Sequence, residues 1–179
     1  AAPAIYNGFV YVLDYDEKQR SDMLRCFVLE TGKEAWRRWY HVFMKRNHGI
    51  SRTVPAVSED FIVTIGPRCH VMCVERKTGN YLWGLDLENE YETETPLWYT
   101  GQCPLIENGV AVIAPGGKAL MIGIDCKTGK KLWETPNLKQ WAMSHASIIP
   151  FEANGKKMYI YAAVGGICGV SAEGTDIGK

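Results

Sequence analysis

The sequence has no run of eighteen apolar residues, so none of it reads as a membrane-spanning helix. It has no excess of either charge. Lys plus Arg number 20 and Asp plus Glu number 20, which leaves no electrostatic reason to expect nucleic acid or an anionic membrane as a partner. Its six cysteines include no adjacent pair and no Cys-x-x-Cys, and that density is too low for a disulfide-built scaffold. They read as buried free thiols. Without Cys-x-x-Cys-His, covalent haem is not expected. No Gly-x-Ser-x-Gly elbow occurs, and no Ser, His and Asp set can be assembled by spacing. The string Ala114-Pro115-Gly116-Gly117-Lys118 fails as a phosphate loop, because Ala119 stands where Ser or Thr is needed. Cys69, His70, Cys73, Cys103 and His145 are metal-ligand types, but their spacing matches no familiar zinc pattern, and no metal is expected. Residues Ala1-Ala2-Pro3-Ala4-Ile5 show no basic segment followed by an apolar stretch, so a secretion leader is expected to be absent or already removed.

What the chain does have is a repeat. Residues 24–36 end in Glu30-Thr31-Gly32-Lys33-Glu34-Ala35-Trp36. Residues 71–83 end in Lys77-Thr78-Gly79-Asn80-Tyr81-Leu82-Trp83, and residues 121–133 in Lys127-Thr128-Gly129-Lys130-Lys131-Leu132-Trp133. The tryptophans recur at steps of 47 and 50 residues. Upstream of each lies a second recurring element, Pro3 to Val12, Pro55 to Val63 and Pro104 to Val112. A looser fourth copy starts at Ser147-Ile148-Ile149 and reaches Met158-Tyr159-Ile160-Tyr161.

The segments are short and rich in Val, Ile and Tyr, as strands are. Asn7-Gly8 and Asn108-Gly109 signal two-residue hairpins, and Thr-Gly marks another turn in which glycine supplies a left-handed position. Four strands in about 40–50 residues is the period of a propeller blade. The expected fold is therefore all-β: four-stranded antiparallel blades spanning approximately 1–40, 53–87, 102–136 and 145–179 of a single partial propeller. In the fourth copy Val170-Ser171-Ala172-Glu173 reads as the third strand and Ile177-Gly178-Lys179 as the turn, which puts that copy's tryptophan beyond Lys179 and leaves the last blade incomplete. The only helix-like stretch is Asn137 to Met143. The acidic run Glu88, Glu90, Glu92, Glu94 reads as a solvated loop. Thr31, Gly32, Trp36, Thr78, Gly79, Trp83, Thr128, Gly129 and Trp133 are expected to be structural, one ring per blade wedging neighbouring sheets together.

An acidic residue, two residues, Thr-Gly, three residues and Trp resembles the tryptophan-docking motif of quinoprotein alcohol dehydrogenases. It also resembles that of their non-catalytic relatives, the pyrroloquinoline-quinone-like propeller repeats, which include an outer-membrane assembly lipoprotein. The first copy departs by carrying Val28 where the others have Glu75 and Asp125. The resemblance covers residues 3 to 178 and implies roughly half of an eight-bladed ring. It also implies a periplasmic or otherwise exported location. Two copies are thus expected to associate and complete a ring. For the catalytic relatives it implies an acidic base, pyrroloquinoline quinone with calcium, and a ring of adjacent cysteines beside the cofactor.

In such a fold the lead-ins to the first strands and the loops between second and third strands share one face. Stepping back from Pro55, Pro104 and Ser147 puts Thr53, Gln102 and His145 at equivalent positions there. Arg52, Trp98, Arg68 and His70 stand beside them, with Gly-rich loops around Gly66, Gly116-Gly117 and Gly165-Gly166. Arg pairs with carboxylates and glycine admits close backbone approach, so this face is the candidate site for a protein, a glycan or a small anionic ligand. Three function classes follow: a non-catalytic propeller that binds a ligand or partner across this face, a dehydrogenase whose catalytic residues lie mostly elsewhere, and a purely structural scaffold for envelope protein assembly that uses the blade edges. Carboxylates are scarce on this face and no cysteines are adjacent, so no cofactor is expected here.

Overall fold

The computed structural model describes residues 2–45 and 51–178. The chain forms four four-stranded antiparallel sheets, each a simple meander. The first holds β1 (Ala4–Tyr6), β2 (Phe9–Asp16), β3 (Ser21–Val28) and β4 (Glu34–His41). The second holds β5 (Ala56–Val57), β6 (Phe61–Ile65), β7 (His70–Glu75) and β8 (Tyr81–Asp86). The third holds β9 (Leu105–Glu107), β10 (Val110–Ile113), β11 (Ala119–Asp125) and β12 (Lys131–Pro136). The fourth holds β13 (Ile149–Ala153), β14 (Lys156–Ala163), β15 (Gly166–Ser171) and β16 (Asp176–Gly178). These are partial β-propeller blades, and core side chains lie between consecutive sheets.

Turn chemistry sets the hairpins. Asn7-Gly8 and Asn108-Gly109 both take positive φ, and so does Asn154-Gly155, an equivalent signal in the looser fourth copy. In the Thr-Gly turns the glycine N–H donates to the carbonyl four residues back, at 2.8 Å in all three. The acidic residue of the motif holds the turn threonine. Thr128 Oγ1 donates to Asp125 at 2.7 Å, and Thr78 does the same to Glu75; Val28 gives Thr31 no such acceptor.

Each tryptophan rests on the turn glycine of the next sheet. A Cβ added to Gly79 would come within 2.5 Å of Trp36, one on Gly129 within 2.7 Å of Trp83, and one on Gly174 within 2.6 Å of Trp133. Trp83 also donates through Nε1 to the Cys126 carbonyl at 2.7 Å. The ring needs a small cross-strand neighbour. Cys26 lies opposite Trp36, Cys73 opposite Trp83 and Gly123 opposite Trp133.

The fourth copy departs from expectation. Its turn falls at Ala172–Gly174, one residue shorter than the others, not at Ile177-Gly178, so residues 176–178 form the fourth strand. Gly178 lies opposite Gly169, the register at which the other blades carry tryptophan, so the motif position holds glycine. The face of this sheet that corresponds to the tryptophan side of the others exposes Ile149, Phe151 and Ile167. The first sheet's opposite face is charged: Arg25 pairs with Asp14 and Glu34, and Arg37 with Glu34.

Asn137 to Met143 is not helical. The Asn137 side chain donates to the Gly117 and Trp141 carbonyls and accepts from the Trp141 N–H, which holds an irregular loop. The helix found among the described residues is α1 (Leu87–Tyr91), inside the acidic run. Asp86 caps it by accepting from the Asn89 N–H at 3.2 Å, and Glu90 reaches back to the Asp86 N–H at 2.8 Å. Leu87 and Tyr91, four apart, are buried on one side. No helix among the described residues is long and apolar enough to cross a membrane.

Candidate functional site

The connections between sheets and the loops between second and third strands come together at one end of the sheets. Backbone bonds tie them: Thr100 N–H to Pro67, Lys118 N–H to Tyr91, and Ala142 with Val164 in both directions. This loop face carries the candidate residues, but the structure separates them into three groups.

Thr53 and Gln102 are turned inward. Thr53 is 2% exposed and its Oγ1 donates to the Ile65 carbonyl at 2.7 Å. Gln102 is fully buried; Nε2 donates to the Ala114 carbonyl at 2.9 Å and to Tyr161 Oη at 3.1 Å, while Oε1 accepts from the Ala114 N–H at 2.9 Å. Ile65 and Ala114 hold corresponding places at the ends of β6 and β10. Both side chains are therefore clips that close the end of the second strand of their own sheet. In the fourth sheet the clip is Ser144, not His145, and its Oγ donates to the Ala162 carbonyl at 2.5 Å. The expected equivalence of Thr53, Gln102 and His145 thus shifts by one residue in the fourth sheet, where the lead-in is longer.

His70 lies on β7, not in the preceding loop, and at the seam between the first and second sheets. Its ring lies 5.3 Å from that of Tyr40 and its Nε2 is 3.7 Å from Asp86. It lines a groove of about 530 Å³ with Tyr81, Asp86 and Glu90. Beside this seam sits a group that sequence reasoning missed. Asp22 is buried and accepts from Tyr40 Oη at 2.9 Å and from Ser51 Oγ at 3.0 Å. A side chain on Gly66 would strike Tyr40 Oη, which fixes glycine there. Nothing marks Asp22 in the sequence, since it is a single acid on an otherwise ordinary strand.

Burial pushes the Asp22 carboxyl up to about 6, against the hydrogen bonds from Tyr40, Ser51 and the Met23 backbone that favour its charged form. The folded value lies above the unfolded one. Its protonated form therefore contributes stability that is fully present below about pH 4 and is lost as pH rises through 6. We expect Asp22→Asn to flatten the pH dependence of the urea midpoint between pH 4 and 7. The native chain should lose roughly 3 kcal/mol more than the variant across that window. Parallel pH profiles of the two proteins check this, and superimposable profiles would refute it.

Arg68, Arg52, Trp98 and His145 remain at the loop face. Arg68 is exposed and pairs with Glu88 of α1 at 2.7 Å. Arg52 is half-buried ahead of β5. His145 is exposed, with Nε2 3.0 Å from the Tyr99 carbonyl and its ring against Gly101. Trp98 is 42% exposed, and both it and Tyr99 hold φ of +71°. Two consecutive aromatic residues in the left-handed region are strained. The segment is tied down by the Tyr99 N–H to Pro96 and the Tyr99 hydroxyl to Lys45. Leu97 and Val164 are also exposed on this layer.

The residues here do not fit pyrroloquinoline quinone with calcium. Calcium takes six to eight oxygen ligands in typical sites. Glu88 is engaged by Arg68 and Thr95. Among the described residues no three His, Cys, Asp or Glu side chains come together in a way that could hold a metal ion. All six cysteines are free, five of them buried, and burial pushes the Cys69 thiol up.

The family described as "Outer membrane protein assembly factor BamB" matches residues 19–177. No curated protein sequence matches the chain. Among solved structures, BamB from Moraxella catarrhalis is similar at a TM-score of 0.62 and 13% identity, covering 98% of this chain and 46% of its own. Quinohemoprotein alcohol dehydrogenase from Comamonas testosteroni is similar at a TM-score of 0.67 and 12% identity, covering 97% of this chain and 33% of its own. A europium-containing methanol dehydrogenase gives 0.63 and 11%, with 97% and 40% covered. The chain spans less than half the length of each of these relatives, and at such identities the likeness is one of fold.

Proposed function

The chain belongs to the propeller-repeat family described as outer membrane protein assembly factor BamB, and from that premise we propose that it is a non-catalytic scaffold that binds a protein partner across its loop face. The observation that carries this reading is the Trp98-Tyr99 pair, held in a strained backbone with the indole turned partly to solvent. Strain of this kind persists only where surrounding structure imposes it, and exposed tryptophan is the residue type most enriched at the centre of protein interfaces. Exposed Leu97 beside it and Arg68 nearby supply apolar contact and a charged rim. The clips Thr53, Gln102 and Ser144 turn their polar ends inward to close strand ends, which removes them as ligand groups on the face. An exported, periplasmic location accompanies this reading, from the family's name.

A photo-crosslinking residue at position 98 in cells producing the protein is expected to give one discrete protein adduct. The same residue at position 108, in a turn at the opposite end of the sheets, should give none. In calorimetry, pyrroloquinoline quinone with calcium is expected to produce no binding heat. Saturable quinone binding would overturn the scaffold reading in favour of the dehydrogenase one, and equal adducts from positions 98 and 108 would overturn the loop face as the contact surface.

A further inference from the structure

The seam between the second and third sheets brings two of its buried thiols together beneath Trp83, and the matching places in the other two described seams do not. Cys73 sits on β7 opposite Trp83, on the face turned to the third sheet. Cys126 follows β11, two residues on from Ile124, and its backbone N–H donates to the Gly109 carbonyl. Both thiols are fully buried, and Cys73 Sγ lies 3.4 Å from the Cys126 carbonyl oxygen. The Trp83 indole caps the same carbonyl from the other side. At the matching place in the first seam Cys26 meets Arg76, whose guanidinium reaches Tyr11. In the third seam the matching residues are Gly123 and Ala172, which have no thiol.

We propose that Cys73 and Cys126 are a latent disulfide site that staples the second sheet to the third beneath Trp83. Neither partner is the half-buried Cys103, the cysteine that a surface-reactive role would select. The contact with Cys126, and then burial, hold the Cys73 thiol far above the ordinary thiol range. The buried Cys73 thiol is therefore a poor nucleophile in the folded chain, and the bond forms while the sheets assemble rather than afterwards. The chemistry is thiol–disulfide exchange with a small-molecule disulfide such as oxidised glutathione. One protein thiolate attacks a sulfur of the disulfide and releases one glutathione thiolate. The second protein thiolate then displaces the other glutathione. Two protein thiols are oxidised to one S–S bond, one glutathione disulfide is reduced to two thiols, and the two protein protons pass to the released thiolates. The closed loop is long, since the cysteines are 53 residues apart, and longer loops restrict the unfolded chain more.

The test is refolding of the 179-residue chain from urea, once in reduced and oxidised glutathione and once in excess reductant. After the oxidising route, alkylation is expected to find four free thiols in place of six, and peptide mapping to link 73 with 126. The oxidised protein should unfold at higher urea than the reduced one. Cys73→Val keeps the volume beside Trp83 and should remove both the linkage and the difference in midpoint. Cys126→Ala gives an independent check if the valine variant folds poorly, with circular dichroism reporting the fold of each. Six free thiols after the oxidising route, or a linkage mapped to any other pair, overturns the proposal.

Discussion

Alanine in place of Gly79 or Gly129 should lower the urea midpoint of the chain far more than alanine in place of Gly32. All three glycines sit at the same turn with nearly the same backbone, φ +69°, +71° and +66°. Left-handed strain on a Cβ-bearing residue, about 1–2 kcal/mol, is thus common to all of them. What differs is the neighbour. A Cβ on Gly32 meets nothing within 4 Å, whereas on Gly79 it would press into the Trp36 ring and on Gly129 into Trp83. The ring must then leave its seat. Losing a packed aromatic costs about 3–5 kcal/mol when it is truncated, and a displaced ring forfeits much of the same contact. A total near 4–6 kcal/mol is a large part of a domain stability of about 5–15 kcal/mol. Urea denaturation of the three variants measures the difference. Equal losses would mean that the tryptophans do not hold the sheets together.

Gln102→Leu should cost about 3–5 kcal/mol while leaving side-chain volume nearly unchanged. The leucine keeps the apolar contacts but strands the Ala114 N–H and the Ala114 carbonyl, which Gln102 satisfies in a fully buried setting, while Tyr161 Oη keeps its bond from the Ser144 N–H. Each buried group left unpaired costs about 1–3 kcal/mol, with partial relief if water enters. Thr53→Val removes a single bond and should cost about 1 kcal/mol. Amide hydrogen exchange at Ala114 should quicken in the first variant and stay slow in the second. The opposite pattern, a stable Gln102→Leu protein that no longer gives the crosslinked adduct, would make Gln102 a ligand of the loop face instead of a clip.

Most of the architecture could be read from one line of residues because every blade repeats the same local solution. Thr-Gly demands a left-handed turn, and the tryptophan four residues on must then land at a fixed register. That logic failed where the local solution changed. In the fourth sheet a turn one residue shorter, closing on Gly174, shifts the frame, so the Thr-Gly spacing points to Ile177-Gly178 instead. The helix α1 escaped because five residues give too little periodicity, and its run of glutamates read as solvated chain; Asp86 as cap and the Leu87/Tyr91 spacing were the usable signals. For the candidate site, spacing located equivalent positions but not the direction of their side chains. Thr53 and Gln102 were placed at the correct end of the sheets, yet whether a polar group meets solvent or a strand end depends on carbonyls far off in sequence, such as Ile65 and Ala114. The Asp22–Tyr40–Ser51 cluster is a product of the seam and has no local signature at all.

The two outer sheets of the array differ in kind, and this gives the molecule a direction. A second copy added head to tail, as ring completion would need, sets the first sheet's Asp14, Arg25, Glu34 and Arg37 against the fourth sheet's Ile149, Phe151 and Ile167. Drying an ion network against hydrocarbon forfeits its hydration and returns no new partner, and Gly178 offers no ring to bridge the gap. A two-fold axis through the outer face of the fourth sheet meets no such conflict, because it sets that apolar face against its own copy. Head-to-tail joining of two copies therefore sets unlike surfaces together, and the outer face of the fourth sheet is suited to an apolar partner surface.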